Sequence, residues 1–397
     1  MSSPPGFAHF VSLRQPPRRG QHRWPGKAGS TVFTNGDAPV TVAAKQYRVG
    51  IAGAGAIALA SAAWLRQAGH GVTVWSPGGR GADGLRTQPL EACGIQSFSV
   101  KVEVADGAAG LCAASDVLLL ALPVNGHRRV MDALLPFLRD GQTVIVSSMA
   151  SLSSLYLHEA AARAGRRITV ASFGTTVLTA RRESGTQVRV MTRRKAVGVS
   201  ALPGSRVEEA VALCTALFGD GFFPDGSALA SALANVNPQS HGPLAVFNWT
   251  RIERAENWPQ YHCMTPGVSR VIEALDRERR AVAAAFGIEL GPIEAHFARS
   301  FGTASAKLED IAAELHAKRG GPPGPTQADT RYVTEDMPYG LAFVEALGAI
   351  AGVPTPATRT IVDAASLVNG IDFRCENDLL EPLGLANETV AGLLERL

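Results

Sequence analysis

The chain has 397 residues, of which 46% are hydrophobic and 18% charged, a length that suits two domains and a composition far from that of a disordered polymer. Its longest strongly apolar run, Val117 to Leu122, falls well short of the roughly 20 residues that span a bilayer, so no membrane association is expected. The net charge of +3 is concentrated at the start, where residues 1–46 hold six Lys or Arg against the single acid Asp37; the remainder is slightly acidic, which gives no support for nucleic-acid binding.

The leading 46 residues contain Pro4-Pro5 and Pro16-Pro17-Arg18-Arg19 and no apolar periodicity. They lack the apolar core of a secretory signal. An Arg-rich, acid-poor start can imitate an organelle transit peptide, but the segment reads as a disordered tail or a start codon assigned too early. The five cysteines are odd in number, widely spaced and without a Cys-x-x-Cys pair. Neither a disulfide framework nor a metal site follows, and a reducing cytoplasm is the simplest compartment.

Regular structure is expected from Tyr47. Arg48 to Ala52 is a short apolar strand that runs into Gly53-Ala54-Gly55-Ala56-Ile57-Ala58. A helical pattern through Ala58, Ala62, Leu65 and Arg66 follows, closed by Gly69 and Gly71, and Val72 to Trp75 is a second strand. Strand, glycine turn, helix and strand within about 30 residues make the unit of a right-handed parallel crossover. Gly53 permits the tight turn, Gly55 lets the backbone approach a pyrophosphate, and Ala58 lets the helix pack on the strand. Ala56 and Ile57 lie at the helix N-terminus, where free amides meet phosphates. Alone the pattern is also met as a structural turn; in this context it marks a dinucleotide site.

The residue after the second strand is Ser76, where a carboxylate would bind the ribose 2′-hydroxyl of NAD. With Arg80 and Arg86 in the loop beyond, the missing acid suits the 2′-phosphate of NADP. NAD remains the alternative, because such arginines are also met as solvated loop charges.

Asp116 to Leu122 reads as a buried strand ending at Pro123, which is counted with the cofactor contacts. His127 to Leu138 reads as a helix, and Thr143–Val146 and Ile168–Ala171 as further strands. Val188–Met191 and Lys195–Val199 look like a later hairpin. Near-continuous apolar strands alternating with helices imply a parallel sheet covered on both faces. After about Phe223-Pro224 strand-like runs nearly disappear. Thr265-Pro266 opens a long helix with Thr as cap and Pro in the first turn, and Thr355-Pro356 opens another that stops at Gly370. The expected fold is therefore α/β: an N-terminal doubly wound Rossmann domain over residues 47–224, then an all-helical domain over residues 225–397.

Two polar constellations fall in the helical part. In Asn235 to Pro243, two prolines and a glycine interrupt a helical pattern, and His241 there is a candidate acid–base group with a pKa near working pH. A lone histidine is more often structural. In Thr330 to Gly340, Thr334 is a plausible helix cap and Asp336 would sit in the first turn, where the dipole favours its ionised form. An ionised Asp can hold an imidazolium, and Arg331 offers a two-pronged donor for a substrate carboxylate. Read locally, these are equally a capping acid and a surface arginine.

Taken together, Asn235 through Asn248, Thr265 to Asp276, Arg331 to Gly340 and Val353 to Pro356 resemble the opine dehydrogenases. That is the octopine/nopaline dehydrogenase family, distantly related to ketopantoate reductases and 6-phosphogluconate dehydrogenase. The resemblance covers roughly residues 47–385. It implies an enzyme that joins the amino group of an amino acid to a 2-oxo acid such as pyruvate and reduces the imine with NAD(P)H. The family's catalytic histidine matches His241, its paired aspartate Asp336, its carboxylate-binding arginine Arg331 and a functional asparagine Asn237. A homodimer is compatible with it.

The sequence also departs from the pattern. His241 is followed by Gly242-Pro243 where many relatives have two prolines. Ser147-Ser148-Met149-Ala150-Ser151 replaces a glycine-rich turn, and Phe173-Gly174-Thr175-Thr176 replaces a more polar stretch. These loops flank the cleft, so the reaction type follows more firmly than the amino donor. The rivals are a simple 2-oxo acid or ketopantoate-type reductase without an amine partner, and a catalytically silent NADP-binding sensor.

Overall fold

In the computed structural model the described residues are 45–319 and 323–397. The expectation for the leading tail lies outside them up to position 44. The continuous apolar runs become the centre of one sheet. Its strands are β1 (Arg48–Ala52), β2 (Gly71–Trp75), β5 (Glu103–Val104), β6 (Val117–Leu120), β7 (Thr143–Val146), β8 (Thr169–Ser172), β11 (Val197–Leu202) and β12 (Phe222–Pro224). A second, four-stranded sheet holds β3 (Leu90–Gly94), β4 (Phe98–Val100), β9 (Leu178–Arg182) and β10 (Gln187–Arg193).

The main sheet runs β5-β2-β1-β6-β7-β8-β11-β12, parallel from β5 through β8. The first six positions have the doubly wound Rossmann order, and its reversal between β1 and β6 opens a crevice at the strands' carboxyl ends. β11 joins antiparallel to β8 and pairs in parallel with β12.

The expected hairpin of Val188–Met191 with Lys195–Val199 does not form: β10 pairs with β9 and β3, whereas β11 belongs to the main sheet. The burial patterns give the reason. β10 alternates, with Val188 and Val190 buried and Arg189 and Met191 exposed, as befits a sheet wet on one side. β11 is buried over Val199 to Leu202. The link between them is tied down by Arg193, which donates to Phe218 O at 3.0 Å, and Arg194, which donates to Thr176 O at 2.9 Å.

The second sheet explains the composition of α1 (Ala56–Gln67), whose Ala58 to Ala63 are all buried. This helix packs on the main sheet and also against β9, β10 and β3, so only small side chains fit on its flanks. α5 (Val207–Phe218) shares that face. α2 (Ala108–Ala113), α3 (His127–Leu134) and α4 (Ser153–Arg163) cover the opposite face. α3 is shorter than the expected helix to Leu138, because Pro136 lies in a tighter turn at Leu135–Phe137.

The helical part comprises α6 (Ala228–Leu233), α7 (Asn237–Phe247), α8 (Trp249–Glu253), α9 (Pro266–Ala285), α10 (Ile293–Phe301), α11 (Leu308–Arg319), α12 (Arg331–Thr334), α13 (Phe343–Ala351), α14 (Pro356–Asn369) and α15 (Val390–Glu395). α7, α9, α10, α11 and α14 enclose their own core around Trp258, Ile272 and Phe373. After α14 the chain returns: Leu379, Leu383, Leu385 and Leu393 join the same hydrophobic core as Leu155 and Leu157 of α4. Arg396 seals that return by donating to Glu159 at 2.8 Å. Among the described residues no helix is long and apolar enough to cross a membrane.

Candidate active site

The glycine turn closes the crevice from below. Gly53 has φ +131°, and a Cβ there would lie 2.3 Å from Ala121 O at the end of β6, so only glycine can turn the chain so close to the neighbouring strand. Gly55 is different: a Cβ on it would meet nothing within 4 Å. Its open space faces a cleft of about 230 Å³ lined by Gly55, Ala56, Ile57, Pro123, Ser148 and Thr176, among others. A bare backbone beside a cleft at a helix N-terminus fits the pyrophosphate of a dinucleotide.

Several contacts shape this turn. Ser76 Oγ accepts the Gly81 amide at 3.1 Å, closing the loop after β2, and Arg80 is exposed on that loop. Arg86, farther along the same loop, forms an exposed ion pair with Asp106 at 2.6 Å. Arg182 was not singled out from sequence. From β9 its guanidinium donates to Ala54 O at 2.6 Å, Gly81 O at 2.7 Å, Gly185 O at 2.8 Å and Ser184 O at 2.9 Å. One side chain thus fastens the second sheet to the glycine turn and to the loop after β2. On the other wall, wholly buried His127 contacts Leu122 O at 3.1 Å and Ser153 Oγ at 2.9 Å. Burial pulls its imidazole down to about 4, so it stays neutral and fixes the Leu122-Pro123 edge of the cleft.

The two polar constellations meet above the cleft. The expected break in Asn235 to Pro243 falls at its start, between α6 and α7 around Asn235 and Val236, and not at the later prolines: α7 runs through Gly242 and Pro243. Pro238 lies in the first turn, where its missing N–H costs nothing, and Pro243 forgoes one helical bond. The glycines here serve packing. A Cβ on Gly242 would lie 2.7 Å from Leu341, and one on Gly340 would lie 2.3 Å from Pro238. Close approach of α7 to the π-helical turn Met337–Ala342 brings His241 Nδ1 to 2.8 Å from Asp336 Oδ2, each side chain only 12% exposed.

The helix carrying Asp336 starts earlier than expected. Thr330, not Thr334, occupies the cap position of α12, and Thr334 Oγ1 donates back to Thr330 O at 3.2 Å. Asp336 therefore stands between α12 and the π-helical turn rather than in a first helical turn. The Tyr332 ring stacks on His241 at 3.7 Å between centroids, nearly parallel at 4°, and its hydroxyl donates to Gln260. The imidazole is held by a hydrogen bond at its edge and an aromatic face on its plane.

Arg331 and Glu335, one turn apart, both line the cleft. The Arg331 side chain is 65% exposed and lies 3.5 Å from Glu335. Glu335 also accepts the Val124 amide at 3.3 Å, and burial pushes its carboxyl above the usual carboxylate range. Asn237 is exposed, and its carbonyl accepts from Ser240 at 3.1 Å; Asn235, two residues earlier, lines a second, smaller cavity instead.

That cavity lies behind Ser148 and Glu335, which border both spaces. The loop carrying Ser148 is where a glycine-rich turn was expected to be replaced. Ser148, Ser151 and Leu152 adopt φ +59°, +47° and +56°, a conformation that costs an L-residue about 1–2 kcal/mol each. Hydrogen bonds hold it: Ser151 donates to Tyr339 O at 2.8 Å, and Asn377 Nδ2 donates to Ser151 Oγ at 2.9 Å and Pro338 O at 2.8 Å. The returning C-terminal segment thereby ties this loop to the turn that follows Asp336.

Residues 224–369 match the family described as NAD/NADP octopine/nopaline dehydrogenase, alpha-helical domain. Residues 49–204 match ketopantoate reductase PanE/ApbA, consistent with the dinucleotide-binding sheet. An opine dehydrogenase of Arthrobacter sp. (strain 1C) is 28% identical over 281 residues, 70% of this chain and 78% of that one. Among solved structures, octopine dehydrogenase with NADH and L-arginine aligns at a TM-score of 0.73 and 17% identity, covering 87% of this chain and 97% of that one. Yersinopine dehydrogenase with NADP+ bound aligns at 0.66 and 14% identity, covering 87% and 99%. At those identities the structures establish a shared fold. With the family match, the chain is an opine dehydrogenase-like oxidoreductase of the NAD(P)-dependent kind.

Proposed function

We propose that the chain catalyses reductive condensation of an amino acid with a 2-oxo acid, or the reverse reaction. The observation that carries this is the His241–Asp336 pair, hydrogen-bonded at 2.8 Å, next to a dinucleotide cleft that Arg331 borders. The dinucleotide, when bound, supplies the two-electron reduction. Everything else falls to side chains of this chain.

Arg331 anchors the carboxylate of the oxo acid; its exposed guanidinium needs little desolvation to do so. Asp336 holds His241 through Nδ1, which leaves Nε2 to exchange a proton with the carbonyl oxygen as water departs, or with the amine. Tyr332 keeps the ring plane fixed. Holding two small molecules together contributes by proximity. The Ser76–Gly81 loop, with Arg80 exposed and no carboxylate at the strand end, favours NADP over NAD.

His241→Ala should abolish turnover while dinucleotide affinity stays within about threefold, because the ring touches the reacting atoms and not the glycine turn. Unchanged turnover would overturn the assignment. A second reading has support in the ketopantoate reductase match: reduction of an oxo acid alone. NADPH and NADH oxidation with pyruvate, with and without a panel of amino acids, separates the two.

A further inference from the structure

We propose that the small cavity behind Glu335 is the side-chain pocket of the amino donor, and that it selects a short side chain ending in a hydroxyl or ammonium. It rests on the amine-plus-oxo-acid chemistry proposed above.

The position follows from which residues border which space. Arg331 lines the cleft but not the cavity, whereas Asp336 lines the cavity but not the cleft. An oxo acid anchored on Arg331 occupies the cleft side. The second substrate is then left with the Asp336 side, its amine between the two spaces beside Glu335.

The size follows from the volume. The cavity holds about 30 Å³, close to the share of one water molecule in the liquid. Its walls include Ala150, Leu233, Pro238, Phe343 and Val344. A long or aromatic side chain does not fit between them without displacing buried core residues.

The chemistry follows from unmet acceptors. Gln239 lines the cavity at 1% exposure, and its Oε1 has no hydrogen-bond partner. The carboxylates of Glu335 and Asp336 add further acceptors. The neighbouring cation, Arg279, is already committed: it donates to Asp276 at 2.6 Å, to Leu233 O at 2.6 Å and to Gly291 O at 3.3 Å. Asn235 and Ser148 also border the cavity but do not pair with the Gln239 oxygen, and a site built around an unpaired buried polar group discriminates strongly against an isostere that cannot pair with it.

The test uses the full chain with saturating oxo acid and cofactor. It compares kcat/KM for serine and 2,3-diaminopropionate with that for isosteric 2-aminobutyrate, and with arginine and phenylalanine. Serine or 2,3-diaminopropionate should exceed 2-aminobutyrate by about tenfold or more, with the two large amino acids at background. Gln239→Leu should bring the serine to 2-aminobutyrate ratio close to unity. Val344→Ala, which enlarges the cavity, should raise norvaline relative to 2-aminobutyrate. Dinucleotide binding reports that each variant is folded. Amine-dependent turnover whose ratio ignores Gln239→Leu, or whose best donor is arginine or phenylalanine, would overturn the pocket alone and leave a cavity that holds a structural water. Cofactor oxidation indifferent to every amine would overturn the condensation chemistry and the pocket together.

Discussion

At the scale of single residues, the centre of the site combines groups whose types were readable with groups whose settings were not. His241 and Asp336 lie 95 positions apart and were paired through motifs; local pattern could not have joined them. Tyr332, Glu335 and Gln239 were passed over, because a tyrosine, an acid beside another acid and a glutamine carry no signal until burial is known. Glu335 leads to a pH dependence. Its burial raises the carboxyl, so the folded chain holds that proton more tightly than the unfolded chain does. The stability this contributes is complete below the ordinary carboxylate pKa of about 4.3 and is lost as pH climbs through the raised value. Glu335→Gln should therefore melt higher than the parent at pH 8 and lose that advantage at pH 4. An equal deficit at both pH values would mean that the Val124 amide and Arg331 fully offset the effect of burial and that folding leaves the carboxyl unshifted.

At the scale of elements, the central strands β1, β2, β6, β7 and β8 were legible because each is a largely continuous apolar run, whereas β5 and β12 at the margins were not, and β11 was legible only as half of a hairpin that does not form. The glycine turn was legible because its spacing is tied to a strand before and a helix after. The second sheet was not. β9 reads Leu-Thr-Ala-Arg-Arg, too short and polar to announce a strand, and β3 pairs in parallel with β10, almost a hundred positions away. Yet along β9 the period of two puts Ala180 in the cleft wall and Arg182 on the glycine turn. Arg182→Ala removes four hydrogen bonds to backbone carbonyls. Although the side chain is exposed, dissociation constants for NADPH and NADH should both rise, by about tenfold, since 1.4 kcal/mol corresponds to a decade. Arg182→Lys should recover little, because a point charge cannot span carbonyls that a planar fork reaches. Titration of cofactor fluorescence measures both, and unaltered constants would show that the turn holds its shape unaided.

At the scale of the whole molecule, two halves were expected in succession, and the chain instead comes back to the first after α14. No sequence signal marks that return, because Leu379, Leu383, Leu385 and Leu393 read as any amphipathic tail. Its polar fastening is Asn377, 4% exposed, whose Nδ2 reaches Ser151 and Pro338 and whose Oδ1 accepts the Leu379 amide at 3.2 Å. Asn377→Ala leaves buried partners unpaired, at about 1–3 kcal/mol, which corresponds to a fall in melting temperature of roughly 2–4 °C for each kcal/mol. The KM for the amino donor should rise as the strained Ser148 loop relaxes. A lower melting temperature with unchanged KM would confine Asn377 to stability.

The return after α14 also has a mechanical consequence. The chain crosses from the nucleotide layer to the helical layer between Pro224 and Ala228, and crosses back near Asn377, where Arg128 donates to Asp378 O at 2.8 Å. Two crossings restrict the relative motion of the two layers more than one would, which helps to keep His241 and Asp336 in register with the cleft that Arg331 lines.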